Sequence, residues 1–353
     1  MRHPPFSRIA ALLLCLGLLF SCSACAAETG ADLTRFEQTH VGLFDTAYTL
    51  VAYMPDKASF DRLDAVLYDR LRHDHELFDI YNTYDGVTNL AALNAAGGAP
   101  VELDPVLTEL LAFGISAYDQ THGAVDITCG ALSSLWKSHR DAALREQDPA
   151  ATLPSADEIE RALSQIDITA LTLNGDTAEL TLPGMTLDVG AIAKGCAAKR
   201  ALALLRESGV TSAMLNLGGT VCAVGVKADT GEPWSVGVTD PDDPGAYGLV
   251  LRAQDKAVAT SGDYERYYEV DGTRYCHILD TATGYPARTV RAVTVIADDP
   301  ALADAFSTAL FVLPVSEGQA LVEDTPDLEA LWMMPDGTVQ YSSGCKVYVR
   351  AES

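Results

Sequence analysis

The segment DDPALADAFSTALFVL, residues 298–313, constrains the fold more than any other part of the chain. Asp299 followed by Pro300 marks an N-cap and a first-turn proline. Beyond them apolar side chains lie almost all round the helix, a pattern that needs cover on several sides. Asp304 therefore sits on a buried face, and i,i+4 spacing puts Thr308 beside it, roughly 5–6 Å away at Cβ. A buried carboxylate needs a partner. Two are open: a hydrogen bond from a neighbouring loop, or a hard cation such as magnesium, which takes one or two protein oxygens and completes its shell with phosphate and water.

A second segment, LDVGAIAKGCAAKR at residues 187–200, predicts a strand through Asp188, a bend at Gly190 and a helix from just after Gly195. Free backbone N–H groups at such a helix start, with Lys194 beside them, suit a phosphate. The segment matches neither GxxxxGK[ST] nor GxGxxG, so a packing turn with a solvated lysine is the competing reading. In TSGDYERYYEVDGTRYCHILDTATGYPA, a hairpin turn at Asp271-Gly272 precedes His277 at a strand end. An unperturbed histidine, with a pKa of about 6.5, can act as a general base near neutrality; a lone one is more often structural. Asp126, in THGAVDITCG, reads on its own as a turn former.

With 353 residues, 48% of them hydrophobic, the chain can bury one large core or two closely packed lobes. Its 24 basic and 49 acidic residues give a net charge of −25, which disfavours nucleic acid and anionic membrane surfaces. An anionic ligand would need a local device to hold it.

The N-terminus reads as an export signal: Arg2, His3 and Arg8 precede an apolar run from Ile9 to Phe20, too short for a comfortable membrane span. The following Leu19-Phe20-Ser21-Cys22 resembles a bacterial lipoprotein cleavage box, with Cys22 as the lipidated residue, Cys25 as a second candidate and a plain secretory signal as the alternative. Residues 1–21 are then the signal, 22–35 a tether and 36–353 the folded domain. Five further cysteines, Cys129, Cys196, Cys222, Cys276 and Cys345, show neither zinc spacing nor a disulfide framework.

Along the domain, alternation predicts a strand over FDTAYTLVAYM and helical periodicity over ASFDRLDAVLYDRLRHDHELFDIY and PVLTELLAFGISAYDQTHG. Residues 136–167 read as a charged surface excursion with one helical stretch, SADEIERALSQI. Strands follow at ALTLNG, TAELTL, MTLDVG, SAMLNLGG, VCAVGV, PWSVGVTD, AVATSG, YYEVDGTRY and RAVTVIA, with a closing hairpin around MMPDGTVQYS. Hairpins and helices mix without regular βαβ alternation, which predicts an α+β fold.

Taken in order, FDTAY, FDIYNTYDGVTNLAALN, GAVDIT…LW, LDVGAIAKG, ATSGDYERYY, HILDTATGYPA and DAFSTALFVL resemble the ApbE family of FAD:protein FMN transferases, often exported lipoproteins. The resemblance implies mixed sheets with packed helices in two intimately associated lobes and an active site between them. It also implies that Asp304, Thr308 and the Ala191 carbonyl bind magnesium, and that Asp188 and Lys194 contact FAD. Phe44, the segment Ala124, Val125 and Asp126, and Ile278 would complete the flavin site, with His277 as the base. Phe44-Asp45 stands where the family has Met-Gly, Val125 where phenylalanine is usual, Cys196 for a common aromatic and Lys199 for a frequent aspartate.

The implied reaction moves FMN from FAD to a threonine or serine hydroxyl of an acceptor flavoprotein or membrane redox-complex subunit, releasing AMP. His277, or else Asp188, would take the hydroxyl proton while Lys194 assists at the phosphates. The same residues leave two alternatives: an FAD pyrophosphatase yielding FMN and AMP, and a lipoprotein that binds flavin without chemistry.

Overall fold

The structure is a computed structural model that describes residues 33–146, 152–243 and 245–351. Cys22, the signal and most of the tether lie outside the described residues. The expected α+β organisation is present, centred on an eight-stranded, wholly antiparallel sheet. Its strands run, edge to edge, Thr34–Leu43, Thr46–Met54, Ala213–Leu217, Thr220–Val224, Ala257–Gly262, Ala292–Ala297, Leu328–Met333 and Val339–Tyr341. The edge strand Thr34–Leu43 begins inside the stretch read as tether.

Helices α1 (Lys57–Phe78), α2 (Leu90–Asn94), α3 (Pro105–Gln120), α4 (Gly130–Glu146), α5 (Ala156–Leu163), α6 (Ala193–Glu207), α7 (Pro300–Val312) and α8 (Val315–Asp324) accompany it. α6 and α7 pack on each other and on one sheet face, and α1 packs on α6. The hairpin Trp234–Thr239/Tyr247–Ala253 covers the other face, whose core includes Val51, Val221, Trp234, Val236 and Ile296. Strand Ala292–Ala297 is consequently buried at all six positions, with Val293 and Val295 facing the helices and Ala292 and Ile296 the hairpin. Covered on both faces, such a strand reads as one apolar run instead of an alternation.

Helix α7 explains its own composition. It has Asp299 as N-cap, accepting from Ala301 N, and Pro300 in the first turn, as the sequence predicted. Ten of its residues are buried, among them Asp304, Phe306 and Phe311. Helix α6 is held to α1 by Arg200, whose Nε reaches both carboxylate oxygens of the fully buried Asp74 at 3.1–3.2 Å. Burial still raises the Asp74 carboxyl despite the charge of Arg200.

A smaller cluster joins Leu132 and Trp136 of α4, Ile159 and Ala162 of α5, and Tyr268 of the hairpin Tyr267–Val270/Thr273–Cys276. Trp136 corrects the reading of residues 136–167 as a surface excursion. It is buried within α4, and its Nε1 donates to Gly284 O at 2.8 Å, tying the helix to a distant turn. A second correction concerns MTLDVG, which forms no strand beyond a bridge from Thr186 to Cys129. Its backbone is held by side chain and loop instead: Asn94 bonds Leu187 on both N and O, and Asp188 N donates to Ile127 O. The hairpin strand Tyr247–Ala253 had no clear signal in the sequence.

Candidate active site

A cleft of about 1200 Å³ runs between the sheet with α6 and α7 and the smaller α4–α5 cluster. Every described residue assigned a role from the sequence lines it: Phe44, Ala124, Val125, Asp126, Asp188, Ala191, Lys194, His277, Ile278, Asp304 and Thr308. These residues come from five separate stretches of chain, so the tertiary fold alone brings them together.

At one end Asp304, only 5% exposed, is the hub. Its Oδ2 accepts from Gly195 N at 2.8 Å, its Oδ1 from Thr220 Oγ1 at 3.2 Å, and Lys194 Nζ lies 3.4 Å from Oδ1. The hydrogen-bond partner expected from a loop is supplied instead by the first turn of α6 and by the strand opened by Thr220, with the Lys194 ammonium beside them. Helix α6 begins at Ala193, so Lys194 and Gly195 stand in its first turn and not before it. Two N–H groups expected to be free are occupied, since Ala193 N donates to Val189 O and Gly195 N to Asp304. The glycine has a packing reason: a Cβ there would lie 2.5 Å from Asp304 Cβ and 2.6 Å from Pro300 O. Thr308 Oγ1 is 3.4 Å from Ser261 Oγ, which pairs with Ser307 Oγ at 2.8 Å.

Among the described residues no three His, Cys, Asp or Glu side chains cluster as a metal site. The donor set near Asp304 is instead one carboxylate and a threonine hydroxyl, with Ala191 lining the same cleft. Hard oxygen donors of that number suit magnesium, which keeps water and phosphate in its shell. The Lys194 ammonium already places positive charge 3.4 Å from Oδ1. The residues therefore fit the ion.

Asp188 Oδ1 accepts from Gly190 N at 2.8 Å, shaping the bend, and Asp126 Oδ1 accepts from Thr128 N and Oγ1 at 2.8 and 2.6 Å. Asp126 is thus a turn former as well as a cleft residue, and burial raises its carboxyl. His277 follows strand Thr273–Cys276, its Nδ1 buried without a hydrogen-bond partner among the described residues. Burial, together with the charges of Arg266, Lys194 and Arg140, pushes its pKa down to about 3. The imidazole is therefore neutral near pH 7.

Phe44 and Asp45 form a two-residue hairpin turn between Leu43 and Thr46, with φ of +52° and +53°. Positive φ at both positions is the type I′ pattern, which glycine would adopt more readily than Asp45. Phe44 N donates to His75 Nδ1 at 3.2 Å, and the Phe44 ring packs against His75 and Phe78. Lys199, in place of the family's frequent aspartate, pairs with the α7 cap Asp299 at 2.6 Å.

Several cleft residues escaped the sequence reading. Lys137, Arg140 and Arg266 are among them, and with Lys194 they supply the local positive charge that a chain of −25 needs for an anion; Thr220, fully buried behind Asp304, was missed as well. Glu265 opens into the cleft, yet crowding walls raise its carboxyl, opposed by Lys194 and Arg266. Tyr81, 58% exposed, has Lys137 Nζ 5.4 Å from its ring centroid. The motif YER was the available signal for Glu265 and Arg266; Lys137 and Arg140 carried none. The five described cysteines are all unbridged.

The chain matches the ApbE family over residues 44–332. It is 38% identical over 278 residues to the FAD:protein FMN transferase of Treponema pallidum, covering 74% of this chain and 75% of that one. It is 35% identical over 258 residues to a protein of the same name from Rhodobacter capsulatus, covering 71% of this chain and 47% of the relative. The structure superposes on the ApbE protein of Thermotoga maritima with a TM-score of 0.78 at 30% identity, over 90% of this chain and all of that one. The apo flavinyl transferase ApbE of Pseudomonas stutzeri gives 0.76 at 27% identity, over 91% and 98% of the two chains. Sequence, fold and cleft agree, and the chain belongs to the ApbE family.

Proposed function

We propose that this chain transfers the FMN half of FAD to a threonine or serine hydroxyl of an acceptor protein, in a magnesium-dependent reaction. The acceptor oxygen attacks the flavin-side phosphorus, the bond from that phosphorus to the bridging oxygen breaks, and AMP leaves with that oxygen. Magnesium, held by Asp304, Thr308 and the Ala191 carbonyl, would neutralise charge developing on the diphosphate. Lys194 exchanges its contact with Asp304 for a phosphate oxygen and supplies positive charge from the α6 terminus. His277 takes the hydroxyl proton; its buried Nδ1 has no hydrogen-bond partner among the described residues. Burial is the main cause of its depressed basicity; the smaller part due to Arg266, Lys194 and Arg140 is offset once the anionic diphosphate is bound. Phe44, Ala124, Val125, Asp126, Asp188 and Ile278 line the space for the flavin nucleotide.

The observation that carries this reading is the meeting of Lys194 and Asp304 on the cleft that also holds His277, in a chain 38% identical to an FAD:protein FMN transferase. The test is incubation with FAD, MgCl2 and a candidate acceptor, scoring AMP release and flavin fluorescence that stays on the acceptor after denaturation. Both should appear, and Asp304→Ala should lose both while keeping its circular dichroism. AMP with free FMN and an unlabelled acceptor would instead identify a pyrophosphatase. Tight FAD binding without AMP would identify a flavin carrier.

We further propose that the chain is exported and anchored by lipid on Cys22, so that its acceptors are extracytoplasmic flavoproteins or membrane redox subunits. The support is the charged start, apolar run and cysteine of residues 2–22. Labelled fatty acid should enter the full chain and not its Cys22→Ala variant.

A further inference from the structure

We propose that Thr220 is a positioning residue for the Asp304 carboxylate, setting the orientation in which it receives the metal. The inference rests on the magnesium reading above. Thr220 is fully buried and opens the strand Thr220–Val224, directly after the turn Gly218–Gly219, whose φ values are +54° and +90°. Its backbone is registered with Leu217 across that turn and with Ala259 on the next strand, so it is held from both sides. Its β-branched side chain has little freedom at χ1.

From this fixed place the Thr220 hydroxyl lies 3.2 Å from Asp304 Oδ1. An ionised carboxylate only accepts, so the hydroxyl donates. Gly195 N donates to the other oxygen at 2.8 Å. Each oxygen thus carries one donor from a different rigid element, the central sheet and the first turn of α6, and the two together fix the carboxylate on α7. The remaining partner, Lys194, ends a flexible four-carbon stem and can leave.

Without the hydroxyl, Oδ1 keeps Lys194 as its neighbour, and the carboxylate can turn towards the ammonium. A metal must then separate a closer ion pair and meet a misoriented ligand. Groups that orient a ligand in this way typically alter metal affinity about 10–100-fold when removed. A purely structural Thr220, satisfying its own buried hydroxyl, would change stability but not the magnesium concentration at which the site fills.

The test uses the folded chain without its signal, as wild type, Thr220→Val and Thr220→Ser. MgCl2 is titrated by calorimetry and by its effect on melting temperature, and half-saturation by Mg²⁺ is measured separately for AMP release from FAD. Thr220→Val should weaken Mg²⁺ binding about tenfold and Thr220→Ser should restore it to within about threefold. At saturating Mg²⁺, AMP release by Thr220→Val should approach the wild-type rate. If Thr220→Val does not fold, Thr220→Ala removes the hydroxyl without replacing its volume and serves in its place. A wild type that responds to Mg²⁺ at the same concentrations as the hydroxyl-lacking variant overturns this inference alone. A wild type with no response to Mg²⁺ overturns the magnesium reading and this inference with it.

Discussion

Lys194 Nζ stands 3.4 Å from Asp304 Oδ1, joining the first turn of α6 to the middle of α7. The lysine is 24% exposed at its side chain and the aspartate 7%, so the pair is partly screened on the cleft side. An ammonium in this place neutralises the carboxylate that the magnesium reading assigns to the ion.

Removing that charge has opposite effects on the two ligands. Lys194→Met should tighten Mg²⁺ binding to the FAD-free protein by about two- to fivefold, the size of a screened pair worth ~0.5–1 kcal/mol. The same variant should bind FAD more weakly. Calorimetric titration of each ligand alone checks both, and weaker Mg²⁺ binding in the variant would show that the lysine does not compete with the ion.

His277 makes the protein acid-sensitive. Its pKa of about 3 in the fold lies below the ordinary value of about 6.5 expected in the unfolded chain. Between those values the unfolded chain binds the extra proton, so this contribution is complete above about pH 6.5 and is lost as the pH falls towards 3. Melting temperature measured from pH 7 to pH 4 should decline less steeply for His277→Gln than for wild type. A parallel decline would remove His277 as the cause.

Gly195→Ala should disrupt the α6–α7 contact. Its Cβ would meet Asp304 Cβ at 2.5 Å and the Pro300 carbonyl at 2.6 Å, and backbone cannot swing aside as a side chain can. Overpacking of this kind costs about 1–3 kcal/mol. Urea unfolding should show that loss, with FAD cleavage impaired because the Gly195 N–H to Asp304 contact is displaced.

Asp45 should be replaceable. It holds φ of +53° in the Phe44-Asp45 turn, a conformation that glycine adopts without steric penalty. Asp45→Gly should stabilise the protein by up to ~1 kcal/mol and leave AMP release from FAD unchanged. A fall in melting temperature would mean that the Asp45 side chain holds the turn by contacts of its own.

Local patterns in the chain determined the elements whose causes are themselves local. The Asp299-Pro300 start of α7, the helical period of α1 and the Asp271-Gly272 turn each depend on neighbours a few residues away, and each is found where the pattern placed it. The motifs resembling the family also named part of the cleft lining, while Lys137, Arg140 and Arg266 lay outside what those motifs assigned. Other features depend on partners distant in sequence. MTLDVG has strand composition, yet its hydrogen bonds go to Asn94 and Ile127, so it forms no ladder. Trp136 looked like part of a charged excursion until the turn at Gly284 came to cover it. Asp304 could be recognised as a buried carboxylate in need of partners. Which groups answer it, Gly195 N, Thr220 Oγ1 and Lys194 Nζ, was decided by the packing of α6 and the sheet around α7, because hydrogen bonds form only between groups that tertiary packing brings within about 3 Å.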